Sequence, residues 1–257
     1  MSAPFEKAPG LSALPGIAHG FFGRAGGNSR GEFAGNNMSI ALGDNPGIVA
    51  GNRAAAAQSL GFAPENLCLL KQVHSNRVHR LDNPLGEQTI EADALVTRTP
   101  GLLLGILTAD CTPILLADPE AGIVGAAHAG WRGAADGIIA QTIDAMVALG
   151  AERANIRAAY GPTIHCENYE VGAQFKADFL ALHPDGQRHF HAPSGGIPHF
   201  DLPGFVASQL GAAGLCSIEA VGHCTYAHPE RYFSHRYATH RGMKTGRQIA
   251  VIGLTQL

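Results

Sequence analysis

Paired cysteines, a surplus of charge and a long hydrophobic run are all missing from this chain. Its five cysteines (68, 111, 166, 216 and 224) are odd in number and show no CxxC spacing. That excludes a disulfide scaffold and points to reduced thiols in a cytoplasmic protein. With a net charge of −3 and 15% charged residues, neither nucleic acid nor an anionic membrane is favoured as a bulk partner. The longest apolar stretch, 102–117, is interrupted by Asp110 and Pro113 and is too short to cross a bilayer. The first ten residues show no charged region followed by an apolar one, so no signal peptide is expected. Neither GxxxxGK[ST] nor GxGxxG occurs, which removes the common nucleotide-binding loops. Linkers, repeats and low-complexity tracts are also absent; at 257 residues one large domain or two intimately packed halves are both allowed, with 1–16 read as an irregular N-terminal segment.

What the chain does have is 33 glycines, 15 prolines and 13 histidines. Glycine and proline at this level imply many turns between short elements. Strands are read at 17–22, 67–74, 78–81, 91–97, 102–107, 114–116, 123–127, 156–160, 215–221 and 247–254 from apolar runs bounded by turn residues. Asn45-Pro46 before an alanine-rich body and Gly61 after it mark a helix over 47–60. Further helices are read over 134–149, 171–182 and, capped by Asp201, 204–213. Strands and helices alternate irregularly, so mixed sheets covered by helices fit better than a doubly wound parallel sheet.

The chemistry concentrates where buried strands stop. The run through Leu107 ends at Thr108-Ala109-Asp110-Cys111, and the run through Ala127 ends at His128, followed by Ala129-Gly130-Trp131-Arg132-Gly133. The strand at 67–74 ends at His74. A thiol and two imidazoles at three strand ends form a tripod for one borderline-soft ion, and three protein ligands with an open position is the pattern of catalytic zinc. On the residues alone a second reading stays open, with Cys111 as nucleophile and His128 as its base in a metal-free cysteine hydrolase or amidase. Asp110 and Asp93 are candidates to shuttle protons; Asp110 is read alternatively as a residue that orients a ligand histidine. Arg24, in the loop Gly23-Arg24-Ala25-Gly26-Gly27, is the first candidate for binding an oxyanion such as phosphate, and Arg53 the second. The single HxH, His189-Phe190-His191, is either a solvated loop or a copper ligand pair.

Motifs occur in a fixed order: Gln72-Val73-His74, Glu91-Ala92-Asp93-Ala94, Thr108-Ala109-Asp110-Cys111-Thr112-Pro113, His128-Ala129-Gly130-Trp131-Arg132-Gly133, Gly161-Pro162, Tyr169-Glu170-Val171-Gly172, Cys224-Thr225-Tyr226 and Thr245-Gly246-Arg247. This series resembles the laccase-domain family, first labelled multicopper polyphenol oxidase and later characterised as purine nucleoside phosphorylases. The resemblance implies a single-domain α/β/β/α sandwich over 1–257, similar in architecture to toxin-type Cys–His deamidases, with zinc bound by His74, Cys111 and His128. It also implies phosphorolysis of adenosine, inosine and methylthioadenosine, with adenosine deamination at the same site. Purine nucleosides and phosphate are then the expected partners, and a monomer or weak homo-oligomer the expected state. The alternatives are a copper-dependent polyphenol oxidase and a non-catalytic zinc-binding protein. A trinuclear copper cluster needs several HxH pairs, and no methionine flanks Cys111 or His128 as a blue-copper site would want. The chain departs from the family pattern at Asn36-Asn37-Met38-Ser39, at Thr163-Ile164-His165-Cys166 and at Ala238–Met243, where residues look inserted.

Overall fold

Burial on both faces explains the apolar runs. The computed structural model describes residues 3–193 and 196–256; Met1 and Ser2 of the N-terminal segment and Ser194 and Gly195 of the His-rich loop lie outside them. In chain order, β1 (Phe5–Glu6) and the one-turn helix α1 (Pro9–Ser12) precede β2 (Ile17–Phe22) and α2 (Pro46–Ser59). Short strands β3 (Leu67–Leu69), β4 (Val78–Arg80) and β5 (Ala94–Thr97) lead into β6 (Leu103–Thr108), β7 (Thr112–Asp118) and β8 (Ile123–Ala129). Then come α3 (Trp131–Ala135), α4 (Ile138–Ala148), β9 (Arg157–Tyr160), α5 (Ala173–Leu182), β10 (Phe190–His191) and β11 (His199–Phe200). The chain finishes with α6 (Leu202–Ala212), β12 (Ser217–Ala220), α7 (His235–His240) and β13 (Gln248–Leu254).

Two mixed sheets result, ordered β1-β2-β13-β6-β3 and β12-β9-β7-β8-β5-β4, with β10-β11 as a separate ribbon. Side chains alternate along each inner strand. Leu103 of β6 packs with Phe22, Ile249, Val251 and Ala57 of α2. Leu104 and Ile106 face the other way, onto Leu115, Val124 and Ala126 of the second sheet. Ile114 and Leu116 turn from that interface onto Ile139, Ile143 and Met146 of α4 and Phe205 and Val206 of α6. Three cores in succession therefore make four layers, the expected α/β/β/α sandwich. Each fully buried Leu or Ile in these rows contributes on the order of 1.5–3 kcal/mol of transfer free energy.

β6 pairs with β13 and β3, whereas β7 pairs with β8 and β9, so the chain crosses between sheets at Asp110, whose φ is +91°. Three local expectations are corrected. The predicted helix over 134–149 is two helices, broken at Gly137, whose φ of +90° no helix can accept. Residues 1–16 are not wholly irregular, because Phe5 and Glu6 pair with β2 and α1 follows. The region suspected of insertion contains part of α7, which sequence periodicity did not show.

Candidate metal centre and active site

Backbone geometry at the strand ends delivers the three donors. Past β3 the chain is held to β6 by Gln72, whose amide donates to the Leu107 carbonyl and accepts from the Leu107 N–H, both at 2.8 Å. It then turns at His74, with φ +59°. Asp93, fully buried just before β5, holds that turn: its carboxylate accepts from the N–H groups of Val73, His74 and Ser75 and from the Ser75 hydroxyl. The same carboxylate accepts from His128 Nδ1 at 2.9 Å, which leaves His128 Nε2 for other work. His128 continues the row of Val124 and Ala126 on β8 that faces the other sheet.

Cys111 Sγ lies 3.7 Å from His74 Nε2, and the ligand atoms of His74, Cys111 and His128 all lie within 4.8 Å of one another. Donors at zinc–sulfur and zinc–nitrogen bond lengths in a tetrahedral arrangement stand about 3.5 Å apart, so this set fits one such ion after a small contraction. Gly130 closes the cradle: a Cβ there would sit 2.7 Å from His74 Cδ2 and 3.1 Å from Cys111 Sγ. Electrostatics match the donor set. Burial by itself would raise the Cys111 thiol, but the charge of His128 and hydrogen bonds from both imidazoles outweigh it and bring the pKa down to about 6. Burial opposes charge on His128, yet the Cys111 thiolate and Asp93 raise its pKa to about 9. Asp93 would be pushed up by burial, and hydrogen bonds from His128 and Ser75 instead hold it well below the carboxylate range.

A cavity of about 450 Å³ opens on the tripod, lined among others by Ser39, Ala41, Gln72, Thr108, His235 and Arg247. A larger groove, about 600 Å³, lies elsewhere, beside His191 and His199; the donor chemistry, not volume, marks the smaller one as the site. Arg24 and Arg53 are not among the residues that line it. The Arg24 guanidinium donates to the carbonyls of Pro229 (2.7 Å) and Ala34 (3.1 Å) and covers the Phe233 ring, so it braces the glycine loop. Arg53 donates through Nε to the Met38 carbonyl. Two cationic side chains line the cavity, Lys71, which is paired with Glu91 at 2.9 Å, and Arg247, which lies near Cys111 and Asp110. The motif Thr245-Gly246-Arg247 carried the signal for it.

The two carboxylates also change roles. Asp110 Oδ1 accepts from the Thr225 hydroxyl at 2.7 Å and Oδ2 from the Arg236 N–H at 2.6 Å. It ties the 225 loop and α7 to the crossover and orients no ligand histidine. That task falls to Asp93. Each carboxylate is thus committed to hydrogen bonds that hold the surrounding backbone and side chains in place. Of the HxH pair, His189 is buried with its Nε2 accepting from Arg188, and His191 lines the larger groove; neither reaches the tripod. At the inner end of the cavity, Thr108 Oγ1 and Gln248 Nε2, on directly opposed residues of β6 and β13, are buried without a hydrogen-bond partner among the described residues.

Fold and site together define a four-layer α/β sandwich with a metal-capable His–Cys–His centre at its strand ends. More particularly, residues 18–255 match the family described as multi-copper polyphenol oxidoreductase laccase, and the chain belongs to that family. A Deinococcus radiodurans protein named purine nucleoside phosphorylase is 44% identical over 251 residues, covering 98% of this chain and 93% of that protein. The Streptomyces griseus purine nucleoside phosphorylase ORF3 is 40% identical, with 94% and 96% covered. The crystal structure of Neisseria meningitidis protein NMB0706 superposes with a TM-score of 0.87 at 30% identity, covering 100% of both chains. Among the described residues no helix is long and apolar enough to cross a membrane.

Proposed function

We propose that the protein is a zinc-dependent purine nucleoside phosphorylase. It would convert adenosine, inosine or methylthioadenosine and phosphate to the free base and the sugar 1-phosphate, and deaminate adenosine at the same site. The observation that carries this reading is the His74–Cys111–His128 group opening on a cavity that also presents Arg247, in a chain 44% identical to a protein of that name. Zinc, when bound by the three side chains, supplies Lewis acidity toward the charge that builds on the departing purine.

The chain's own residues do the rest. Arg247 faces the phosphate with a guanidinium suited to its oxygens. As a phosphate oxygen bonds to C1′, the C1′–N9 bond breaks and its electron pair passes to the purine ring. His235, which lines the cavity and makes no side-chain hydrogen bond among the described residues, is kept a neutral base near pH 7 because burial lowers its pKa. It takes the proton of dihydrogen phosphate as the phosphate oxygen attacks and passes that proton to the departing purine, which returns it to its neutral form. Asp93 keeps the His128 ring in place throughout.

Base release, followed chromatographically with each nucleoside with and without phosphate, tests the reading. Phosphate-dependent release is expected, together with phosphate-independent ammonia from adenosine; a zinc-loaded protein that releases no base would refute it. Arg247→Met should raise the KM for phosphate at least about tenfold, whereas Arg24→Met should lower stability and leave that KM unchanged. Cys111→Ala should remove both activities and most bound zinc.

One rival has specific support. Asp93, His128 and Cys111 stand in the order of a base-activated thiol, which favours a metal-free cysteine hydrolase. Stoichiometric alkylation of Cys111 in zinc-loaded protein would choose that rival. A copper oxidase is less well supported, since among the described residues a single three-donor group is assembled.

A further inference from the structure

A second gathering of imidazoles lies apart from the tripod. In the ribbon β10–β11, His191 stands directly opposite His199. Both side chains therefore leave the same face, with Cβ atoms about 4.5–5.5 Å apart. They line the 600 Å³ groove together with His165, Cys166, Glu167 and Asp201.

His199 is already oriented. Its Nδ1 donates to the Cys166 carbonyl at 2.7 Å, which leaves Nε2 with a free lone pair. Ligand imidazoles are commonly held this way, with the other ring N–H on a carbonyl or carboxylate; Asp93 does the same for His128. His191 is exposed and stands directly across the ribbon from His199. Nearby, burial lowers the His165 pKa against the pull of Glu167 and Asp201, so the groove adds a third imidazole and the field of two carboxylates. Cys166 is a poorer donor, because burial and the charges of Asp201 and Glu167 push its thiol up to about 11. Among the described residues only the tripod gathers three donor atoms, so binding in the groove must draw His191 inward.

We propose that this groove takes a second divalent transition-metal ion, of the nickel, copper or zinc type that favours imidazole, with His191 and His199 as its protein ligands. Two imidazoles and water hold an ion less tightly than two imidazoles and a thiolate, so this site fills after the tripod and exchanges faster. It is independent of the phosphorylase reading, since neither histidine lines the other cavity.

Calorimetric titration with Ni²⁺ of the full chain pre-saturated with one equivalent of Zn²⁺ tests the proposal. One further equivalent is expected to bind. His191→Gln and His199→Gln should each weaken it by about tenfold or more, with tripod zinc retained. His191 is exposed, so its replacement leaves the fold undisturbed and keeps the comparison clean. No second equivalent, or one that survives the double replacement at full affinity, would overturn the proposal.

Discussion

At the scale of single residues, the site turns on which carboxylate serves which purpose. Asp93 and Asp110 look alike in the sequence, each beside a motif residue. Nothing in residue type or spacing says that one collects the backbone of residues 73–75 and a histidine while the other clamps two distant loops. The same holds for the arginines: Arg24 sits in an attractive glycine loop, but Ala34 and Pro229 take up its donors from elsewhere in the chain. Cys111 and His128 were legible because a polar side chain at the end of a buried strand has few places to go; His74 was found beside them although its strand, β3, stops at Leu69 and the residue sits in a turn. Asp93→Asn is the sharper test of this assignment. The asparagine cannot accept from all the donors that surround Asp93, so a buried N–H group is left unmatched and stability should fall by about 1–3 kcal/mol. Metal affinity should fall about 10–100-fold, as when the group orienting a ligand histidine is lost. Asp110→Asn should loosen the 225 loop and α7 while leaving metal affinity nearly unchanged. Dye competition for the metal and urea unfolding of metal-free protein read the two effects; equal loss of metal affinity in both variants would contradict the division of roles.

At the scale of elements, the strands were legible and their partners were not. Leu103–Thr108 and Thr112–Asp118 read as buried strands from composition, but each is apolar on both faces, so the sequence has no polar stripe to say which sheet owns which strand. The break between α3 and α4 hides behind the apolar stripe that continues across Gly137. At six residues with three basic side chains or histidines exposed to choice, α7 is too short for periodicity to speak. Gly130 shows how an element is shaped by the site it serves. Its φ of −71° suits any residue, so the need for glycine is steric: a methyl group there meets the His74 ring and the Cys111 sulfur. Gly130→Ala is therefore expected to leave the metal-free fold within about 1 kcal/mol of the parent and to weaken metal binding by about tenfold or more. Unchanged affinity in a direct titration would mean that the loop shifts without cost and that the cradle is not shaped by this glycine.

For the molecule as a whole, the layered order was legible as mixed sheets with helical covers, and the N-terminal segment was not, because its anchors lie far away in the sequence: β2, Glu219, Arg231 and a buried histidine. His19, on β2, is 2% exposed and its Nε2 accepts from the Ala8 N–H at 2.9 Å, just ahead of α1. Burial, and then the charge of Lys7, lower its pKa to about 4. The unfolded chain takes up this proton near pH 6.5 and the folded chain only near pH 4. Between those values the unfolded state binds more protons, so stability falls as pH falls through that window and is fully present above it. His165 and His189 shift in the same direction through burial and steepen the same acid limb. In His19→Gln the amide oxygen can accept from the Ala8 N–H without titrating. The variant should therefore lose less stability than the parent between pH 7 and pH 4.5, with the gap opening below pH 6.5. Urea midpoints of the metal-free proteins measured across that range decide the matter, and parallel curves would show that the N-terminal segment is held to the sheet by something other than a neutral His19.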